Sequence, residues 1–488
     1  MSTNVHIKRL STGVPGFNEV LGGGLPEFSF NLIAGPPGSG KTTLAHQMMF
    51  ALATAERPAL YFTVLGEPPL KMLRYQQQFQ FFQTHAINHS VRYINLSMDT
   101  LAGDLGEVLR RIVGEVETYS PGLIFVDSFR SVVLASQTQA NPNNNLPQFV
   151  QQLGLMMTSW QATTFLIGEY FSQTESNPIF TVADGLIWMG QSVQRNSMVR
   201  QMQIMKMRGQ PSLPGLHTFR INQTGLEVFA PVQNAVKPKA AQPASRARLG
   251  TGIAGLDEML GGGLPQGYSL LVAGPSGSGK TILAASFLAS GAQQGEKGVI
   301  AVFEQSPNRL QSPELLTLIE SDRVGVVDSH ASDLSIDEIV HRLLGEIERL
   351  GATRVVIDSL SGFELALAPT FRADFRESLS CLVSALSQAG VSVLMTCELE
   401  DRYTDLRFSP YGTAFMTDAI IVQRYIEIDS RLMRVMAVVK VRASAHSDEL
   451  RLYEISDEGM VVGHPLKSHE GLLGGRPSLM SPPTQKGH

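Results

Sequence analysis

The sequence predicts an α/β protein of two tandem domains, each a mostly parallel twisted sheet flanked by helices. Short apolar runs alternate with longer stretches of helical period: the run LIFVD at 123–127, for example, follows the amphipathic stretch 105–119. A glycine-rich segment at 35–43 connects a short apolar run to a stretch of helical period, and a second copy of it occurs at 274–282. The chain has 488 residues, which is too long for one hydrophobic core.

The two copies match well beyond the glycine-rich segment. Lys41 and Lys280 are 239 residues apart, and so are Arg9 and Arg248. From Arg9 to the threonine after Lys41 the copies align without a gap, with 21 identities in 34 positions. Segments that are polar and lack periodicity separate and follow the copies. The predicted organisation is a first domain at 1–230, an extended linker at 231–247, a second domain at 248–465 and a disordered tail at 466–488.

The hydrophobic pattern places the elements of each domain. In the first domain it predicts strands at 60–65, 93–96, 123–127 and 163–168. It predicts helices at 71–83, 105–119 and 148–161, with a polar loop at 136–147. Three closing strands are expected to form an antiparallel flank, at 185–189, 199–207 and 217–229. The second domain repeats the order, with strands at 268–273, 298–303, 324–328 and 353–358.

The segment GPPGSGKTT, 35–43, has the spacing G-x-x-x-x-G-K-T of a phosphate-binding P-loop. Its glycines let backbone N–H groups point at phosphate oxygens, and the following helix adds a positive field. The lysine of such a loop reaches the β- and γ-phosphates, and the threonine hydroxyl ligates Mg²⁺. The residues predicted to bind the nucleotide are Gly35, Pro36, Pro37, Gly38, Ser39, Gly40, Lys41, Thr42 and Thr43, and in the second copy Gly274, Pro275, Ser276, Gly277, Ser278, Gly279, Lys280, Thr281 and Ile282.

An acid at the end of a buried strand is expected to complete each metal site. Asp127 in LIFVDS and Asp358 in RVVIDS end such strands, where open α/β sheets bind ligands. The predicted Mg²⁺ ligands are therefore Thr42 with Asp127 and Thr281 with Asp358. A structural or helix-capping role for the acids is the alternative.

Hydrolysis also needs a group that orients or deprotonates the attacking water. The strand after each P-loop helix is expected to deliver it. The second domain offers Glu304, with Gln305 beside it, and the first offers only Glu67. An acid in a surface loop is the alternative for both glutamates.

A third repeated pattern is MKMRG, with Lys206 and Arg208, and VKVRA, with Lys440 and Arg442. In each pair the two cations share one face of a strand, because side chains alternate with a period of two. This arrangement suits a pair that reaches the γ-phosphate bound by a neighbouring subunit, as an arginine finger does. A solvated edge strand is the alternative.

Composition narrows the function classes. The net charge of −5 gives no general attraction to nucleic acid or to an anionic membrane. No apolar run approaches the roughly 20 residues that span a bilayer, and the N-terminal segment lacks the apolar core of a signal peptide. Two cysteines do not make a disulfide framework. These features predict a cytoplasmic protein.

Taken together, these motifs resemble the KaiC-type clock ATPases of the RecA-like family, over about residues 5–464. The resemblance rests on the tandem P-loops, the MKMRG and VKVRA strands, and four further segments: GGGLP at 22–26 and 261–265, TDAIIVQRYIE at 417–427 and ISDEGMVV at 455–462. It implies two tandem RecA-like P-loop domains in a homohexamer of two stacked rings, with Mg²⁺ and ATP between subunits. It also implies that Lys206, Arg208, Lys440 and Arg442 act on the neighbour's ATP, that the first ring hydrolyses ATP slowly, and that clock partner proteins dock on the rings.

The sequence departs from the family pattern at two places. The family carries adjacent catalytic glutamates after the P-loop helix, whereas the first domain has Leu65 and Gly66 at those positions and the second keeps only Glu304. The family's adjacent phosphoacceptor Ser and Thr correspond to Ala414 and Phe415. The chain is therefore identified as a divergent KaiC homologue, outside the core clock type.

Four functional hypotheses remain. The first is an oligomeric ATPase that hydrolyses ATP at subunit interfaces and signals its nucleotide state to a regulatory protein. The second is a Ser/Thr autokinase and autophosphatase, with Thr413 or Thr417 as acceptor. The third is a scaffold that binds ATP only to assemble. The fourth is a RecA-like DNA motor, which acids at Glu400, Asp401 and Asp405 beside the arginines of loop 399–411 disfavour.

Overall fold

The computed structural model divides the chain into two compact units, Met1–Pro231 and Val232–His488. The described residues are 7–64, 69–97, 104–138, 145–172, 178–194, 197–231, 247–303, 313–328, 333–399, 412, 415–428, 430–457, 459–466, 469–470 and 478–479.

The first unit alternates strands and helices. Its strands are β1 Arg9–Leu10, β2 Leu25–Pro26, β3 Phe30–Gly35, β4 Ala59–Thr63, β5 Val91–Asn95, β6 Leu123–Asp127, β7 Thr163–Glu169, β8 Gly185–Gln194, β9 Ser197–Met207, β10 His217–Asn222 and β11 Gly225–Phe229. Its helices are α1 Phe17–Val20, α2 Lys41–Leu52, α3 Pro69–Gln76, α4 Leu105–Tyr119, α5 Phe129–Thr138, α6 Leu146–Ser159 and α7 Pro178–Val182, with a 3-10 turn at Thr84–Ala86.

Nine strands of the first unit form one sheet, in the order β11-β10-β9-β8-β3-β7-β6-β4-β5. The strands from β5 through β8 in this order run parallel, and β9, β10 and β11 continue the sheet antiparallel. The carboxyl ends of β3, β7 and β6 therefore meet at one edge, which is where an open α/β sheet binds ligands.

The second unit repeats this plan. Its strands are β12 Arg248–Leu249, β13 Leu264–Pro265, β14 Ser269–Gly274, β15 Gly298–Val302, β16 Val324–Asp328, β17 Arg354–Asp358, β18 Ser392–Glu398, β19 Ala419–Ile428, β20 Arg431–Val441, β21 Arg451–Ser456, β22 Gly459–Pro465, β23 His469–Glu470 and β24 Ser478–Leu479. Its helices are α8 Ala254–Met259, α9 Lys280–Gln293, α10 Pro313–Glu320, α11 Ile336–Leu350, α12 Leu360–Ala366, α13 Pro369–Arg372 and α14 Phe375–Gln388.

The second nine-stranded sheet has the order β16-β15-β17-β18-β14-β19-β20-β21-β22. Its strands from β16 through β19 are parallel, and the last three are antiparallel. Two such sheets flanked by helices confirm the predicted fold class, two tandem RecA-like domains.

The cores form on both faces of each sheet because the central strands are apolar on both sides. On β3, Ile33 belongs to a buried cluster with Leu44 of α2, whereas Leu32 on the other face joins a cluster with Leu153 of α6. Helix α4 shows how the sequence sets an element: the Asp104 side chain accepts hydrogen bonds from the first-turn N–H groups and caps the helix.

Three element predictions differ from the structure. The segment 185–189, expected in the antiparallel flank, begins β8, which is parallel to β3. The segment 217–229, expected as one strand, is the hairpin of β10 and β11. The helix expected at 71–83 is α3, Pro69–Gln76, and it ends earlier.

The domain boundaries stay a prediction. Most of the predicted linker, 232–246, lies outside the described residues, and so does the middle of the predicted loop, at 139–144. In the tail predicted to be disordered, β23 and β24 pair with each other, and most of its other residues lie outside the described part. Among the described residues, no helix is both long enough and apolar enough to cross a membrane.

Candidate functional site

In each unit a glycine-rich loop connects the central strand of the sheet to a helix. β3 ends at Gly35 and α2 begins at Lys41; β14 ends at Gly274 and α9 begins at Lys280. The last loop residue, Gly40, has φ 96°, and a Cβ there would lie 2.6 Å from Cδ1 of Ile221. Gly279 has φ 93° and the same 2.6 Å limit, set by Ile455. Both the positive φ and the lack of space require glycine at this position.

The two loop lysines lie over their own loops. Lys41 Nζ donates to the Pro36 carbonyl at 2.7 Å, and Lys280 Nζ donates to the Gly274 and Pro275 carbonyls at 2.9 and 2.8 Å. Burial lowers the pKa of Lys41, and the nearby carboxylates of Glu169 and Asp127 oppose this shift. The ammonium groups are therefore held at the loops that are predicted to bind phosphate.

The predicted metal pair is brought together in both units. Thr42 Oγ1 donates to Asp127 Oδ2 at 2.8 Å, and Thr281 Oγ1 donates to Asp358 Oδ2 at 2.8 Å. A hydroxyl and a carboxylate next to a phosphate-binding loop are the oxygen donors that Mg²⁺ prefers, and it takes its remaining ligands from phosphates and water. The residues present thus fit a Mg²⁺–nucleotide complex.

The two acids have different surroundings. Asp127 is 4 % exposed, and burial raises its pKa, against hydrogen bonds from Thr42 and Tyr61 and the charge of Lys41. Asp358 is half-buried, and its second oxygen, Oδ1, accepts a hydrogen bond from Thr396 Oγ1 at 2.5 Å.

Sequence reasoning missed a second acid at each cleft. β7 lies between β3 and β6, and its last residue, Glu169, is in register with Gly35. Glu398, the last residue of β18, is in register with Gly274 in the same way. Glu398 lines a cavity of about 420 Å³ together with Lys280 and other residues of the second site. The signal was present in the sequence, because TFLIGE and VLMTCE are apolar strands that end in an acid.

Sequence reasoning also missed an arginine in each unit. Arg434 on β20 lines the second cavity, and its guanidinium lies 5.6 Å from the ring centre of Tyr425, whose hydroxyl donates to the Ser276 carbonyl of the P-loop. Arg200 occupies the equivalent position on β9, six residues before the lysine of the Lys-x-Arg pattern. The Nε atoms of both arginines are buried and make no hydrogen bond to any residue that the structure describes.

The Lys-x-Arg pairs lie at the opposite edge of the sheet from their own P-loops. Lys206 pairs with Leu186 at the start of β8, which in turn pairs with Leu32, three residues before the P-loop. At about 3.3 Å per residue, this places Lys206 roughly 10 Å short of the loop along the strand. Its ammonium donates to the Thr181 carbonyl at 2.9 Å, and Arg208 contacts Asp184 at 3.1 Å.

The second unit repeats this arrangement. Lys440 Nζ donates to the Thr417 carbonyl at 2.7 Å, and Arg442 contacts Asp418 at 3.3 Å and the Phe415 carbonyl. Burial lowers the pKa of Lys440, and the charge of Arg442 lowers it further. The described contacts of these cations are thus to groups beside them, at the edge away from their own nucleotide loop.

Three other residues of the predicted sites are not described. Glu67, Glu304 and Thr413 lie outside the described residues, so their roles stay predictions. Thr417 is described, and it is fully buried. A buried hydroxyl is a poor phosphoacceptor, which weakens the autokinase hypothesis at Thr417.

Comparison with known proteins agrees with this geometry. A family model described as the KaiC ATPase matches residues 10–233 and again 249–467, and so accounts for most of the chain in two copies. The chain belongs to the KaiC ATPase family. It is therefore a KaiC-type nucleotide-binding protein with ATPase domains, as the motifs indicated.

The chain is similar to several KaiC proteins over most of its length. The circadian clock oscillator protein KaiC of Rippkaea orientalis (strain PCC 8801 / RF-1) is 26% identical over 494 residues, which cover 98% of this chain and 93% of that protein. KaiC 1 of Synechocystis sp. (strain ATCC 27184 / PCC 6803 / Kazusa) is 25% identical, covering 97% and 93%. The circadian clock protein KaiC3 of the same organism is 26% identical, covering 96% and 95%. At identities of 25–26%, the roles of individual residues have to be argued from this chain itself.

Proposed function

We propose that this KaiC homologue is a homohexameric ATPase that hydrolyses Mg²⁺–ATP at the interfaces between subunits. Its nucleotide state is then signalled to a regulatory protein partner. The observation that carries the proposal is the placement of cations at both ends of one strand in each unit. Arg200 and Arg434 lie at the P-loop end, and the Lys-x-Arg pairs lie at the far end.

The strand register separates the two kinds of cation. On β19, Val422 pairs with Ala273, next to the P-loop. Tyr425 lies three residues further along β19 and pairs with Arg434, so Arg434 lies at the P-loop end of its own unit. Lys440 pairs with Ile420 near the start of β19, roughly 10 Å away in the opposite direction. A cation at the far end serves a phosphate only if a neighbouring subunit presents its P-loop there. Such an interface is head-to-tail, and head-to-tail interfaces form a ring when the rotation between subunits closes, as we propose for this protein.

The residues divide the chemistry. Lys41 and Lys280 would hold the β- and γ-phosphates. Thr42 with Asp127, and Thr281 with Asp358, would hold a Mg²⁺ ion that supplies positive charge to the phosphates. Glu67 and Glu304 are the proposed groups that orient the attacking water. The Lys-x-Arg pair of the adjacent subunit, Lys206 with Arg208 or Lys440 with Arg442, stabilises the charge that develops on the transferred phosphoryl group.

Mixing two inactive variants tests the interface. We expect Lys280→Ala to remove nucleotide from the second site and Arg442→Ala to slow its turnover without unfolding the unit. In rings assembled from equal amounts of both, about a quarter of second-site interfaces combine an intact P-loop with an intact arginine, because neighbours pair at random in a closed ring. Phosphate release should therefore rise above that of either variant alone.

The mixing experiment has a matched control and an outcome that would contradict the proposal. A mixture of Arg442→Ala with itself in separately tagged forms gives the background rate. No gain in the mixed rings would mean that Arg442 acts within its own subunit. Native mass measurement in Mg²⁺–ATP tests the hexamer. Intact mass tests the alternative, since autophosphorylation adds a phosphoryl group to the chain.

A further inference from the structure

A buried polar cluster lies behind the first nucleotide site. It consists of His46 on α2, Tyr61 on β4 and Tyr93 on β5, and we call it the first-unit polar cluster. His46 and Tyr61 are fully buried. The ring centres of His46 and Tyr61 are 4.5 Å apart, and those of Tyr61 and Tyr93 are 5.3 Å apart. The hydroxyl and ring nitrogens of this cluster are polar groups in an otherwise apolar core.

Two members of the cluster contact the predicted metal pair. Tyr61 OH donates to Asp127 Oδ2 at 2.8 Å, the same oxygen that accepts from Thr42. His46 Nδ1 lies 2.8 Å from the Thr42 carbonyl and therefore carries the proton of that hydrogen bond. Tyr93 packs against the other two rings, and its hydroxyl makes no hydrogen bond to Asp127 or to any other residue that the structure describes. Tyr61 is thus the member that touches the acid.

The second unit has no such cluster at the equivalent positions. The residue five after the P-loop lysine is His46 in the first unit and Ala285 in the second. In the first unit Asp127 pairs with Thr63 on β4, and Tyr61 lies two residues before Thr63. In the second unit Asp358 pairs with Val302 on β15, and Ile300 lies two residues before Val302. Val326 pairs with Ile300 as Tyr93 pairs with Tyr61. The polar cluster is therefore a feature of the first site alone.

We propose that Tyr61 is a positioning residue that holds Asp127 in the orientation needed for the Mg²⁺ complex of the first site. The inference rests on the proposed Mg²⁺–ATP site. A carboxylate buried as deeply as Asp127 needs donors, and a hydrogen bond to a charged group is stronger than a neutral one. The Tyr61 hydroxyl is such a donor, and it lies 2.8 Å from Asp127 Oδ2.

The rings around Tyr61 restrict its motion. Phe125 and Tyr93 are paired with Tyr61 on the two strands beside β4, with ring centres 5.8 and 5.3 Å away, and the ring centre of His46 on α2 is 4.5 Å away. A side chain confined in this way keeps its hydroxyl at a fixed point. Asp127 therefore loses little further freedom when the metal and nucleotide bind, which is how a pre-organised site gains affinity.

The test separates metal-dependent from metal-independent nucleotide binding. Full-length protein carrying Lys280→Ala, which closes the second site, is titrated with a fluorescent non-hydrolysable ATP analogue with Mg²⁺ and with EDTA. The phosphates contact the P-loop directly, whereas Tyr61 acts through Asp127. We therefore expect Tyr61→Phe to reduce the Mg²⁺-dependent gain in affinity by about tenfold, the size of one hydrogen bond to a charged group. Affinity in EDTA should stay within about twofold of the parent, since the P-loop is untouched.

Tyr93→Phe is the matched control, because it removes a hydroxyl from the same cluster that does not contact Asp127. It should leave both affinities at the parent values. Equal Mg²⁺ gains in Tyr61→Phe and the parent would overturn the assignment. So would a parallel loss with Mg²⁺ and with EDTA, which indicates a structural role. If Tyr61→Phe folds poorly, Tyr61→Ile, which installs the side chain of Ile300, gives the same comparison.

The outcome also distinguishes this inference from the proposed function. A parent protein whose first site binds the analogue without any Mg²⁺-dependent gain would overturn the proposed Mg²⁺–ATP site, and the positioning role with it. A parent with a clear gain that Tyr61→Phe leaves unchanged would overturn only the role of Tyr61.

Discussion

Replacing Asp127 by Asn is expected to stabilise the nucleotide-free first unit while weakening its Mg²⁺–nucleotide complex. Asp127 is 4 % exposed, and burial raises its pKa. An acid whose pKa is higher in the folded state than in the unfolded state destabilises the fold when it is charged. This destabilisation is present above the folded-state pKa and is relieved as the pH falls through it. Asn keeps the side-chain volume and removes the charge.

The expected gain follows from opposing contributions. The hydrogen bonds from Thr42 and Tyr61, both 2.8 Å long, become neutral, and each loses about 1 kcal/mol. The attraction to Lys41 is lost as well. Desolvation of a buried carboxylate costs several kcal/mol even after the protein relaxes. The balance is an increase of about 1–2 kcal/mol in the free energy of unfolding of the first unit.

Tryptophan fluorescence measures this unit selectively. The chain has two tryptophans, Trp160 and Trp188, and both belong to the first unit. In urea and without nucleotide, we expect Asp127→Asn to unfold at a higher concentration than the wild type, with the difference narrowing on acidification. Asp358→Asn, in the second unit, should leave this transition in place. A first unit that unfolds earlier in Asp127→Asn would show that the contacts of the carboxylate outweigh its burial.

Mg²⁺–ATP should act against this difference, because ligand binding stabilises the folded state by an amount that rises with the logarithm of the affinity. We expect the nucleotide to raise the urea midpoint of the wild type more than that of Asp127→Asn. Equal shifts would remove Asp127 from the proposed metal site.

Three further predictions concern other residues. Glu304→Gln and Glu398→Gln should each leave nucleotide binding intact. The variant that loses more phosphate release, by about tenfold or more, identifies the carboxylate that orients or deprotonates the attacking water. Glu296→Gln removes the carboxylate that lies 2.5 Å from the fully buried Arg354. Because Glu296 is partly exposed, we expect the free energy of unfolding of the second unit to fall by only about 2 kcal/mol, measured by hydrogen exchange in β17. Burial lowers the pKa of His217 below 6.5, so its contribution to stability is present above pH 6.5 and is lost as the pH falls. The urea midpoint, monitored by tryptophan fluorescence, should therefore fall less steeply below pH 6.5 in His217→Gln than in the wild type. An equally steep fall of the urea midpoint in both proteins would contradict this.

Much of the fold was predictable because the hydrophobic period and the internal repeat are local signals. The helix expected at 71–83 ended early for a tertiary reason: the Gln80 N–H donates to the Gln223 carbonyl of the β10–β11 turn, which a continued helix would not allow. The direction of β8 could not be predicted, because a strand's neighbours depend on the crossover and not on its own pattern. The β10–β11 turn did leave a signal, since Asn222 accepts a hydrogen bond from the Thr224 N–H and Gly225 has φ 118°.

The candidate site divides along the same line. Lys41, Thr42 and Asp127 were predictable because a motif and a strand end identify them without knowledge of the sheet order. No single motif identifies Glu169 or Arg200, because their place at the cleft depends on which strands lie near β3 in space. The repeat held enough information to suggest both, since an acid and an arginine recur at equivalent positions in the second copy.

The same dependence explains how two copies of one scaffold can differ in activity. The P-loop lysines and the Thr–Asp pairs are the same in both units, with hydrogen bonds of 2.8 Å between threonine and acid. What differs is the donor next to the acid: Tyr61 on β4 bonds the oxygen that Thr42 also bonds, whereas Thr396 on β18 bonds the opposite oxygen of Asp358. A difference between the two sites should therefore follow the strands beside the acid and not the P-loops. Exchanging the P-loops between units should leave each site with its own metal dependence, and exchange of that dependence with the loops would refute the argument.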